Sequence, residues 1–259
     1  MIANYHTHTF RCGHADGTER EYIERAIEGG IKIMGFSDHI AFRFPDGYES
    51  GYRVQLNAVE DYFRTLGALR DEYRNEIEIH IGWEMEYYPL HFRQMLKNAV
   101  EWGSEYLILG QHFIGNEYPY GKYVGEGKNG EKELSEYVDC VIEAVDTGVF
   151  TYICHPDVFL FTGADEIYEK ENRRLCKAAA KADIALEINF LGIRDNRHYP
   201  DEKFWKIAGE EGCAAVFGFD AHKAQAAYDG ASLAQAQRIV EKYGLKLAET
   251  VTLKPLKLI

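Results

Sequence analysis

The sequence predicts an α/β protein whose parallel strands wrap into a closed or nearly closed barrel of seven strand–helix units. Three observations carry this. Short apolar segments alternate with amphipathic ones seven times along the chain. No linker, low-complexity stretch or repeat interrupts the series, so residues 1–259 read as a single domain. Residues able to hold a metal gather after the apolar segments, and parallel barrels build their sites at the carboxyl ends of their strands. Serial units imply right-handed crossovers. An open doubly wound sheet is the alternative, but no Gly-x-Gly-x-x-Gly follows the first strand, so a dinucleotide site is not expected.

The elements are read in order. A strand at Ile2–His6 is followed by a helix with Thr18 as N-cap and Glu21 completing a capping box. Gly29-Gly30 stops that helix. A strand at Lys32–Ser37 ends in Asp38-His39, and the long loop Ile40–Gln55 has the character of a lid. Next come a helix at Leu56–Arg74, a strand at Ile77–Trp83 that delivers Glu84, and a helix at His91–Trp102. The strand Tyr106–Leu109 delivers Gln111-His112, and the glycine- and tyrosine-rich segment Phe113–Lys132 is a second candidate lid. After the helix Glu133–Thr147, the strand Phe150–Cys154 delivers His155-Pro156-Asp157. The helix Ala164–Lys181 and the strand Ala185–Asn189 lead to a loop with Arg194, Arg197 and His198. The helix Asp201–Glu211, the strand Ala214–Gly218 with Asp220-Ala221-His222 after it, the helix Leu233–Tyr243 and a short tail complete the chain.

Composition narrows the function. The 259 residues, 46% hydrophobic, suffice for a sizeable core. No apolar run approaches a membrane span and the start lacks a signal-peptide pattern, so no membrane is expected and a cytoplasmic protein is the default. Five dispersed cysteines without a Cys-x-x-Cys argue against a disulfide framework or zinc ribbon, although Cys12 and Cys154 stand beside site candidates. A net charge of −13 without a basic cluster argues against nucleic acid polymers and for a small substrate, with metal ions supplying positive charge.

His6 and His8 alternate, so an extended strand aims both at one point. His39, Glu84, His112, His155 and the Asp220/His222 pair follow other strands. Glu86 competes with Glu84, since both share one side of an extended chain. Each alone reads equally well as a cap, a turn or a surface acid; together, at one end of one sheet, they do not. His80, within a strand, and His91, on a helix, read as structural. Imidazoles and carboxylates without thiolates suit Zn, Mn or Fe. Their number exceeds what one ion needs, so two or three divalent metal ions are expected, two of them bridged by Glu84 about 3.5–4 Å apart.

His6-Thr7-His8, Asp16-Gly17-Thr18, Ser37-Asp38-His39, Glu84, His112, His155-Pro156 and Asp220-Ala221-His222 resemble, in this order, the motifs of the PHP (polymerase and histidinol phosphatase) metallophosphoesterases. Within that family the chain looks most like the histidinol-phosphate phosphatases. The resemblance implies a distorted (β/α)7, TIM-like barrel with a trinuclear centre. Carried over, metal one is held by His6, His8, Glu84 and Asp220, metal two by Glu84, His112 and His155, and metal three by Asp16, His39 and His222. His14 is an equally chemical neighbour of Asp16. Glu84 and Asp220 are the expected catalytic carboxylates. The implied reaction is hydrolysis of L-histidinol phosphate, a small phosphorylated substrate, by hydroxide generated at the metals. Arg194 is the leading phosphate ligand, with His14, Arg197 and His198 as further candidates, and Asp157 or Glu86 would meet the substrate ammonium. The rivals are another small phosphate, a nucleotide or phosphotyrosine as substrate, and a non-catalytic, metal-stabilised accessory module. Oligomeric state is left open.

Overall fold

The computed structural model of the protein describes residues 1–127 and 129–258. In chain order it contains β1 (Ala3–Asn4), α1 (Glu19–Glu28), β2 (Ile33–Phe36), α2 (Val59–Tyr73), β3 (Glu78–Ile81), β4 (Trp83–Met85) and α3 (Phe92–Glu101). Then follow β5 (Leu107–Leu109), β6 (Phe113–Ile114), β7 (Lys122–Tyr123), α4 (Glu131–Asp146), β8 (Tyr152–Ile153), α5 (Asp165–Lys181) and β9 (Ala185–Asn189). The last are α6 (Phe190–Arg194), α7 (Glu202–Glu210), β10 (Ala214–Gly218), α8 (Gly230–Tyr243) and β11 (Lys246–Leu247). The capping box is present: the Thr18 N–H donates to Glu21 Oε2 at 2.7 Å, and Thr18 Oγ1 accepts from the Glu21 N–H.

The strands of the barrel wall are parallel and fall into two sheets, β1-β2-β3 and β4-β5-β8-β9-β10-β11. The single strand expected at Ile77–Trp83 breaks at Gly82. Its first half pairs with β2 and its second with β5, so this one run joins the two sheets. The Ser37 N–H to Thr7 O bond (2.9 Å) continues the β1–β2 pair, and at the other seam the His8 N–H donates to Ala221 O (3.0 Å). A parallel bridge, Thr7 with Ala221, links the extension of β1 to that of β10. Lower down, β10 takes β11 on the same edge. The wall is therefore a distorted seven-stranded barrel, and the doubly wound alternative is set aside. Buried Asn4 supports the seam: its Oδ1 accepts from the Phe219 N–H (2.9 Å) and its Nδ2 donates to Thr7 Oγ1 (2.8 Å).

Alternation fills the barrel. Tyr5, Tyr106, Ile108, Tyr152, Cys154 and Val216 form a buried cluster of their own, and Val251 and Leu253 of the tail pack against it. The Tyr106 hydroxyl reaches the Tyr5 carbonyl at 2.7 Å and the Phe36 carbonyl at 3.2 Å, tying strands that are not neighbours. The larger cluster lies between wall and helices. Among the described residues no helix is long and apolar enough to cross a membrane.

His80 is structural, as expected. Its Nδ1 lies 2.7 Å from Glu105 Oε2 and its Nε2 3.0 Å from Glu78 Oε1. The hydrogen bond to Glu105 raises its pKa above the ordinary value, against partial burial. The protonated ring therefore stabilises the fold fully below the unfolded pKa, and that contribution disappears as pH rises through the folded value. Melting curves should show His80→Gln clearly less stable than wild type at pH 5.5 and nearly equal to it at pH 9; an equal gap at both pH values would contradict the pairing.

Candidate metal centre

Each ligand candidate leaves the wall at its carboxyl end. His6 and His8 continue β1 and bring their ring centroids to 5.1 Å. Glu84 lies within β4. His155 and Asp220 have left-handed backbones, φ +28° and +46°. Such conformations cost residues with a Cβ on the order of 1 kcal/mol or more, and here they fall at strand ends beside the cluster. Room for buried carboxylates comes from glycine: a Cβ at Gly110 would lie 1.9 Å from Glu84 Oε1, and one at Gly218 would lie 1.7 Å from Glu187 Oε1.

Glu84 is the hub. Its Oε2 lies 3.4 Å from His6 Nε2, 3.5 Å from His8 Nε2 and 3.0 Å from His39 Nδ1. Its Oε1 lies 2.9 Å from His155 Nε2 and 3.5 Å from His112 Nε2. Asp220 Oδ1 stands 3.6 Å from His6 Nε2, 3.2 Å from His8 Nε2 and 3.3 Å from His222 Nδ1. The atoms His6 Nε2, His8 Nε2, Glu84 Oε2 and Asp220 Oδ1 are buried and have no hydrogen-bond partner. Ligands at about 2.1 Å around one tetrahedral ion stand about 3.4 Å apart, which is the spacing these four atoms show. Buried polar atoms without protein partners are rare, and a set of nitrogens and carboxylate oxygens at this spacing suits a cation. The donors fit a divalent metal.

A second group, His112 and His155, faces the other oxygen of Glu84. A third is formed by His14, His39 and His222, whose ligand atoms lie within 4.8 Å of one another. His14 Nε2 and His222 Nε2 are 2.9 Å apart. Asp16 does not take the place expected of it. It is exposed, and the contacts that fix it are made by its backbone, through its N–H to His222 O and its carbonyl to Tyr22 Oη. His14, on the same loop and likewise exposed, has its ring within reach of His39 and His222.

Burial alone would raise the carboxylates, but His39, His6 and His112 hold Glu84 well below the usual range. His6, His222 and His8 do the same for Asp220. Both carboxylates are ionised and able to ligate. Burial pushes His39 down to about 3, which keeps its ring neutral.

Four further polar groups hold these ligands; of them only Glu86 was a site candidate from the sequence, and in another role. Glu187 Oε1 lies 2.8 Å from His6 Nδ1, and its Oε2 accepts from the His155 N–H at 3.0 Å. Asp38 stands 3.5 Å from His8 Nδ1 and is itself held by the Thr9 N–H at 2.8 Å. Asn189 Nδ2 donates to Asp220 Oδ2 at 3.0 Å. Glu86 Oε1 lies 3.1 Å from His112 Nδ1. Carboxylates behind metal-binding histidines fix the tautomer and strengthen the ligand. The available signal was Glu187 and Asn189 at alternate positions of an otherwise apolar strand.

The cluster opens into a cavity of about 940 Å3 lined by Tyr52, Phe113, Tyr123, Arg194 and Arg197 among others. Arg194 makes only long contacts, 3.4 Å to Asp229 and to the Phe219 and Asp220 carbonyls. His198 is turned to the Val158 carbonyl at 2.8 Å and does not line the cavity. Neither acid expected to meet the ammonium is free. Burial would raise Glu86, but Arg53 beside it brings it down to about 2. Asp157 accepts from the Asp201 N–H (2.6 Å) and Trp205 Nε1–H (3.0 Å), and burial pushes it up to about 7. Cys12 Sγ lies 4.0 Å from His14 Nε2, while Cys154 belongs to the barrel interior.

A parallel barrel with a cluster of imidazoles and carboxylates at its carboxyl mouth defines a metal-dependent hydrolase type of site. The sequence matches the PHP domain family over residues 4–190, and the chain belongs to that family. It is 27% identical over 234 residues to the "Probable histidinol-phosphatase" of Deinococcus radiodurans, covering 86% of each chain. It is 27% identical over 256 residues to the histidinol-phosphatase of Lactococcus lactis subsp. lactis, covering 93% of this chain and 91% of that one. Among solved structures it is similar to the histidinol phosphate phosphatase of Lactococcus lactis subsp. lactis complexed with Zn, L-histidinol and phosphate. That likeness has a TM-score of 0.74, with 21% identity, over 99% of this chain and 98% of the other.

Glu84→Gln should remove most of the activity and lower bound metal by more than one ion per chain, because both of its oxygens face donor groups. Elemental analysis of the purified variant checks this; full metal content would take Glu84 out of the centre.

Proposed function

We propose that the protein hydrolyses L-histidinol phosphate to L-histidinol and phosphate, using two to three divalent ions, Zn, Mn or Fe. The single observation that carries the reading is Glu84, whose two oxygens face separate groups of imidazoles at the floor of a cavity with two arginines. Relatives that carry a histidinol-phosphatase name over nearly their whole length give it a substrate. His6, His8, Glu84 and Asp220 would hold one ion, Glu84, His112 and His155 a second, and His14, His39 and His222 a third. Bound divalent ions supply hydroxide from water near neutral pH and neutralise phosphoryl oxygens.

The chain's own residues do the rest. Glu187, Asp38 and Glu86 keep His6, His8 and His112 oriented, so the donors need little rearrangement. Arg194 exchanges its long contacts for phosphate oxygens, which its planar fork matches, and Arg197 stands beside it. Tyr52, Phe113 and Tyr123 offer ring faces to the imidazole of the substrate. The whole domain, residues 1–259, is the working unit, since Asp220 and His222 lie beyond the matched segment.

Turnover of histidinol phosphate, AMP and p-nitrophenyl phosphate should be compared side by side. Histidinol phosphate should show the highest kcat/KM; negligible turnover of it beside efficient use of another ester would move the substrate. Metal-replete protein inert on all three would favour an accessory module. Arg194→Ala should lower kcat/KM by about tenfold or more, as for a lost charge-assisted contact, with metal content unchanged. An unaltered kcat/KM would end its phosphate role.

A further inference from the structure

Arg53, at the end of the first long loop, has a side chain with no exposed surface. Its Nη2 lies 2.6 Å from Glu86 Oε2 and 2.6 Å from Glu117 Oε2. The Tyr52 and Tyr88 hydroxyls lie 3.0 Å each from the same nitrogen, and Nη1 donates to the Ile40 carbonyl at 3.2 Å. Tyr52 also donates to Glu117. Glu117 belongs to the segment between β6 and β7, so one guanidinium fastens both mouth loops together. A buried cation is tolerated only when its charge and donors are matched this fully, and removing one partner leaves an uncompensated charge.

The same arginine reaches the metal cluster. Glu86 takes Arg53 on Oε2 and faces His112 Nδ1 with Oε1, while His112 Nε2 faces Glu84 Oε1 at 3.5 Å. Arg53 holds Glu86 by one contact from Nη2 and grips Glu117 Oε2 with both Nε (2.8 Å) and Nη2 (2.6 Å); Glu86 so held can accept from His112 Nδ1 and leave the lone pair of Nε2 for the cluster. The His112 carbonyl accepts from the Val124 N–H at 2.9 Å, so the second loop also holds the backbone of this ligand.

We propose that Arg53 is a positioning residue for the metal ligand His112. It acts through Glu86, and through Glu117 it makes that positioning depend on the two mouth loops being packed together. The assignment rests on His112 binding metal, as proposed above. A merely structural Arg53 would affect melting temperature alone; a positioning Arg53 changes metal affinity and does so jointly with Glu86.

The test strips the full-length protein of metal and titrates Zn2+ against a chromophoric chelator. It uses wild type, Arg53→Lys, Glu86→Gln, the double variant, Glu117→Gln and His112→Ala. Glu86→Gln should weaken one equivalent of Zn2+ by about tenfold or more. Arg53→Lys, which keeps the charge but loses the fork, should weaken the same equivalent, and the double variant should be no worse than the weaker single one. Glu117→Gln should weaken it several-fold. Wild-type Zn2+ affinity in folded Arg53→Lys, or an effect that adds to that of Glu86→Gln, would overturn the proposal. If Arg53→Lys does not fold, Glu117→Gln decides: an unchanged affinity overturns the link to the loops. A wild-type number of Zn2+ ions in His112→Ala would refute the ligand reading itself and leave the metal role of Arg53 without an object.

Discussion

One buried carboxylate organises this molecule. Glu84 sits within β4 with five imidazoles around it, His6, His8 and His39 on one oxygen and His112 and His155 on the other. Burying so many polar atoms is expensive unless something pairs with them. The unpartnered nitrogens and oxygens at 3.2–3.6 Å from one another are the form that requirement takes in a chain made to hold cations. The break at Gly82, the side-chain-free position at Gly110 and the left-handed turns at His155 and Asp220 serve the same end, which is to bring charged groups to one point without filling it.

The support is layered. Behind the imidazoles stand Glu187, Asp38 and Glu86, and behind Glu86 stands Arg53. Charges of alternating sign run outward from the cluster to the mouth loops. The barrel seam, where the Thr7–Ala221 bridge links the extensions of β1 and β10, is the thin part of the wall among the described residues, and Asn4 reinforces it with its side chain. His6, His8, Asp220 and His222 all lie beside that seam. An ion shared by His6, His8 and Asp220 would staple β1 to β10 where backbone pairing is thinnest.

Much of this was legible in the sequence because the periodicities are strong. The strands Ala185–Asn189 and Ala214–Gly218 have the expected bounds, and the imidazoles and carboxylates at the ends of six of the seven expected strands do converge. What sequence missed depends on contacts between distant parts. The hairpin β6–β7 and the edge strand β11 are two residues long each and exist only through their partners. Asp16 and His14 share one loop, and only its path over His222 decides which side chain comes within reach of the cluster. Nothing in the sequence of the loop Ile40–Gln55 singles out Arg53; its burial follows from Glu86 and Glu117, 33 and 64 residues further on.

The central claim is that Glu84 bridges separate ions at this mouth. Anomalous diffraction from crystals of the Zn2+-loaded protein at the zinc edge tests it most directly. Bridging by Glu84 requires at least two peaks flanking its carboxylate, one among His6, His8 and Asp220 and another between His112 and His155. A single peak, or peaks remote from Glu84, would contradict it.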